Sequence, residues 1–160
     1  MSRTVLFFSL LIMVLGAAKP AAEDLTAFVG STQSLSNRTT TGVAVGLSLA
    51  IIGFEFEYSN TSFDNLRGRT ELKSSMFNVL VQSPFPISRL QFYGTIGGGL
   101  YREIFGGQRQ TGLGSNIGAG VKVSLMEPLR LRLDYRSLRL GYSSEDPAIQ
   151  RFYAGLTLDF

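Results

Sequence analysis

The 160 residues contain no histidine, no cysteine and no tryptophan. Without cysteine there is neither a disulfide framework nor a thiolate metal site. Without histidine the chain lacks the commonest general base and the commonest transition-metal ligand. Charge is sparse as well, at 17% of residues against 44% hydrophobic, and that balance excludes a disordered chain. The formal net charge of +3 does not mark a nucleic-acid binder. Two of the 15 basic residues, Arg3 and Lys19, stand in the first 22 positions, which leaves 13 against 12 acidic ones and no basic patch.

What is abundant is glycine, 18 residues, with 12 Phe and 6 Tyr. That composition suits an all-β chain of turns and aromatic strands, and the length allows one domain. The first 22 residues read as a secretory signal peptide. Arg3 supplies a positive start, Val5 to Leu15 an apolar run, and Gly16, Ala17 and Ala18 the small residues that follow. Cleavage is expected after Ala18 or after Ala22. The run is short of the roughly 20 apolar residues a membrane-crossing helix needs, so the folded domain is expected over 23–160.

Beyond residue 22 no window carries a helical apolar stripe, whereas period-two alternation recurs in runs of about ten residues. Val43, Val45, Leu47 and Leu49 alternate with Gly42, Ala44, Gly46 and Ser48. Phe54, Phe56 and Tyr58 alternate with Gly53, Glu55, Glu57 and Ser59. Further runs start near Leu113, Leu129 and Arg151, and less regular ones cover 25–31, 71–82 and 90–101. Eight strands are expected. The connections at 50–52, 83–89 and 126–128 are short, while those at 31–41, 59–70, 102–111 and 143–150 are longer and polar. Short turns at one end and longer loops at the other are the asymmetry of an outer-membrane barrel.

Alternation alone leaves a soluble, lipocalin-like ligand-binding barrel open, with the apolar face inside. Two features favour lipid outside. The polar face is crowded with small residues such as Gly97, Gly99, Gly118 and Gly120, as a narrow lumen requires. The apolar face is also nearly unbroken. Glu55, Glu57, Lys122, Arg132, Asp134 and Arg136 then project inward, the first five at similar heights, and an interior ion-pair network is expected, tolerable only if each charge is met. It is either structural filler or a gate for a narrow pore.

The final strand places Tyr153, Gly155, Leu158 and Phe160 at the spacing of a carboxyl-terminal barrel-assembly signal. With the leader and the glycine-rich aromatic stretch from Phe92 to Tyr101, the pattern resembles the small eight-stranded OmpA-like and opacity-type, porin-like outer-membrane families of the Gram-negative cell envelope. The resemblance implies an up-and-down transmembrane β-barrel in outer-membrane lipid, with the barrel-assembly machinery as a partner. No peptidoglycan-binding domain of the kind OmpA carries is expected after Phe160. Enzymes of this architecture, the lipid A deacylases and palmitoyl transferases, use a catalytic His with Ser, and this chain has no His. The acids Glu55 and Glu57 leave no space for a sugar between them. No cofactor, metal or nucleic acid is expected. The expected role is structural or surface-interacting and non-catalytic; the alternative is a narrow pore for water or small ions. An extracellular partner for the loops is open.

Overall fold

The computed structural model describes residues 22–33, 37–62, 71–105, 108–141 and 148–160. The expected signal segment lies outside the described residues except for Ala22, and so do the central parts of the longer loops, including the hydrophobic residues Phe63 and Leu66. Eight strands follow in chain order: β1 (Ala22–Gln33), β2 (Asn37–Leu49), β3 (Ile52–Thr61), β4 (Glu71–Gln82), β5 (Leu90–Phe105), β6 (Gln108–Met126), β7 (Leu129–Leu140) and β8 (Ala148–Asp159). Each pairs antiparallel with its sequence neighbour, and β8 pairs with β1 to close the barrel. At the seam, backbone hydrogen bonds join Glu23 and Phe160 in both directions, at 3.1 and 3.0 Å.

Register fixes the barrel's geometry. A row of paired residues that leaves β7 at Arg139 passes through Ser115, Gly98, Phe77, Phe56, Val45, Leu25 and Leu158. It re-enters β7 at Leu129, ten residues from where it began. A stagger of that size on eight strands tilts them by about 40° to the barrel axis, within the range of membrane barrels.

The apolar side chains point outward. Val45 is 55% exposed and Ile96 61%, whereas Glu57 and Arg132 are 0% exposed. A soluble barrel with the faces reversed is thereby ruled out, because it would need Val45 buried and Arg132 in water. The inward glycines have a packing reason: large inward side chains lie over them from the neighbouring strand. Tyr101 covers Gly112, Tyr93 covers Gly120 and Phe28 covers Gly42, each pair being register partners. A Cβ on Gly112 would stand 2.6 Å from the Tyr101 hydroxyl.

Several strands run further than the alternation suggested. The stretch expected to be the loop 102–111 is mostly strand, with β5 reaching Phe105 and β6 beginning at Gln108; β1 and β2 likewise extend into 31–41. At the long-loop end the polarity of the wall reverses. Leu72, Met76, Tyr101, Leu138, Leu140 and Ile149 form an apolar cluster inside, while Lys73, Arg102 and Arg139 point out.

Candidate functional site

The lumen below the apolar cluster is lined by charge. Arg132, Asp134 and Arg136 come from alternate positions of β7, Glu55 and Glu57 from alternate positions of β3 on the opposite wall, and Arg151 from β8. Period two puts each set on one face, and all six are nearly fully buried.

Arg136 is the hub. Its Nε donates to Asp134 Oδ1 at 2.8 Å and its Nη2 to Glu55 Oε1 at 2.9 Å. Its Nη1 lies 2.9 Å from Glu57 Oε2. Arg132 pairs with Glu55 through Nη1, reaches Asp134 Oδ2 at 3.2 Å, and donates from Nε to the Tyr93 hydroxyl at 2.7 Å. That hydroxyl donates onward to Asp134 Oδ2 at 2.5 Å. Arg151 pairs with Glu57 and donates to Ser59 Oγ at 2.8 Å. Three guanidinium groups thus meet three carboxylates, and the cluster is neutral. The Tyr153 ring lies 5.7 Å from each of the three guanidinium carbons, a cation–π contact that adds to the compensation.

Lys122 belongs elsewhere. The sequence reading grouped it with the others, but its register neighbour is Arg132, a like charge and no partner. Its Nζ instead meets Asp24 Oδ2 on β1 at 2.5 Å, in a separate pair. Arg130 and Asp159 form a third, partly exposed contact at 2.5 Å. The expected ion network did not include Arg151, Tyr93, Asp24 or Tyr153, the last of which was assigned to the carboxyl-terminal signal alone. Arg151 and Tyr153 share the inward parity of β8, and that parity was the available signal. Asn78 was also missed; it donates to Glu55 Oε1 at 3.1 Å and accepts from Asn116 at 2.8 Å.

Of the four residues at the expected assembly signal, Tyr153 is buried and stacks on Phe28 at a ring separation of 4.1 Å. Gly155 lies under the Phe28 and Thr26 side chains, while Leu158 and Phe160 face outward. Among the described residues no group of three or more acidic, His or Cys side chains is placed to hold a metal ion.

A closed eight-stranded wall, apolar outside and ion-paired inside, defines a small barrel of the outer-membrane type. The comparisons agree: the family model for the outer membrane protein beta-barrel domain matches residues 7–160. The chain belongs to that family, and its place is the bacterial outer membrane. No curated protein matches the sequence significantly. Among solved structures, the chain is similar to neisserial surface protein A, with 17% identity and a TM-score of 0.73 over 90% of this chain and 99% of that one. It is also similar to the N-terminal β-barrel domain of Pseudomonas aeruginosa OprF, with 17% identity and a TM-score of 0.66 over 87% and 97% of the two chains. The outer membrane enzyme PagL is more distant, with 13% identity and a TM-score of 0.54 over 84% and 98%. At these identities the likeness is one of fold.

Proposed function

We propose that this protein is a non-conducting, non-catalytic barrel that reinforces the outer membrane, delivered there by the segment 1–22 and inserted by the barrel-assembly machinery through its last strand. The observation that carries the reading is the filled lumen. Arg132, Arg136 and Tyr153 are among the largest fully buried side chains, and they cross-brace β3, β7 and β8. The inward glycines of β5 and β6 do not stand open, because Asn78, Met76, Tyr101, Arg136 and Tyr93 lie over them. The apolar cluster over the ion pairs is a second barrier to ions.

Since the fold also serves PagL, the non-catalytic part is argued from residues. No His is available to activate a nucleophile, and among the described residues the buried acids are committed to Arg or, for Asp24, to Lys122. The test is swelling of liposomes carrying the refolded protein, with single-channel recording beside it. Swelling no faster than protein-free liposomes is expected. Discrete ion currents that change in Arg132→Ala would replace this reading with the gated narrow pore.

A further inference from the structure

At the long-loop end the outward face carries four cations on consecutive strands: Lys73 on β4, Arg102 on β5, Arg109 on β6 and Arg139 on β7. Lys73 and Arg102 are register partners. Arg102 and Arg139 are partnered on β6 by Thr111 and Ser115, four residues or about 13 Å apart along the strand. Tilt brings Lys73, Arg102 and Arg139 close to one height, above the outward apolar residues Phe77, Ile96 and Leu100. Among the described residues one acid accompanies them on the outward face, Glu71, 3.2 Å from Lys73.

The arrangement is one-sided. The corresponding outward positions of β8, β1, β2 and β3 are uncharged: Gln150, Gln33, Thr39 and Asn60 among them. Generic solvation of the rim would spread charge around the barrel. Beside Arg139 the outer surface also dips, in a depression lined by Leu113, Gly114, Ser115, Arg139, Leu140 and Gly141.

We propose that this face of β4–β7 is a binding site for the phosphorylated glycolipid of the outer leaflet, lipopolysaccharide. Arg102 and Arg139 present guanidinium forks suited to phosphate oxygens, and Lys73 adds a point charge. The spread of the cations fits a headgroup bearing more than one phosphate, and the exposed Phe77, Ile96 and Leu100 beneath them meet its acyl chains. Charge and apolar surface meeting at one height identify an amphiphile and not a soluble anion. The site deepens the membrane-reinforcing reading, because it would fix the barrel in its own leaflet. It is read out by lipid binding and not by conductance, so the two can fail separately.

The experiment titrates the refolded wild-type protein in zwitterionic micelles with lipopolysaccharide, with the same lipid after enzymatic phosphate removal, and with inositol hexaphosphate. Binding is followed by native mass spectrometry, and the folded barrel by heat-modifiable gel mobility. Tight binding of the phosphorylated lipid alone is expected. In the K73Q/R102Q/R139Q variant its affinity should drop about a hundredfold, near fivefold per charge, while R89Q at the opposite end should bind as wild type does. Equal affinity for the dephosphorylated lipid overturns the proposal, and so does a triple variant that folds and binds normally. Binding of inositol hexaphosphate as tight as that of the lipid also overturns it, in favour of a soluble polyanion. The wild-type comparison decides the matter even if the variant does not fold.

Discussion

Arg136 concentrates the interior electrostatics in one side chain. It touches Glu55, Glu57 and Asp134, so removing it leaves three buried carboxylates to share two guanidinium groups, those of Arg132 and Arg151, with one negative charge uncompensated. Breaking a buried ion pair by deleting one partner costs about 3–5 kcal/mol. Arg136→Ala is therefore expected to destabilise the barrel by at least about 3 kcal/mol, measured by urea unfolding in lipid vesicles. A loss below about 1 kcal/mol would mean that the cluster is solvated as a surface pair is. Which charges lie inward was legible in the sequence, because parity along a strand decides it. Which of them pair was not. Lys122 was grouped by counting from strand ends, a procedure blind to tilt and to the like charge of Arg132 in the adjacent register position.

Strand ends were the least legible elements. Alternation marks a strand only while one side meets lipid, so β4 could be read as Glu71–Gln82, but the tops of β5 and β6 looked like loop. Above the apolar belt the outward side no longer needs to be hydrophobic, and Arg102, Thr111 and Arg139 take those places. β7 shows the switch within one strand: Leu131 and Leu133 point out, while Leu138 and Leu140 point in. At the opposite end the β2–β3 turn carries Ala50 at φ 55°, where an L residue with a Cβ is strained and glycine is not. Ala50→Gly is expected to stabilise the folded barrel by about 0.5–1 kcal/mol, visible as a higher urea midpoint. No change, or a lower midpoint, would show that the turn carries no strain.

The whole molecule is organised by its exchange of inside for outside. Lipid takes the place of the core, and the lumen takes the place of the surface. A charge placed on the belt should therefore be costly. Ile96→Arg, at a position 61% exposed and in the membrane-facing part of β5, is expected to cost about 2–4 kcal/mol in vesicle unfolding. A cost near zero would put that face in water.

The seam between β1 and β8 has a consequence for biogenesis. Register partners there are as far apart in the chain as Asp24 and Asp159, so until β8 has been synthesised the nascent sheet has two raw edges of unpaired amides, which hydrocarbon cannot satisfy. A sheet that lacks β8 therefore cannot sit bare in hydrocarbon, and each open edge needs a pairing partner until β1 and β8 meet.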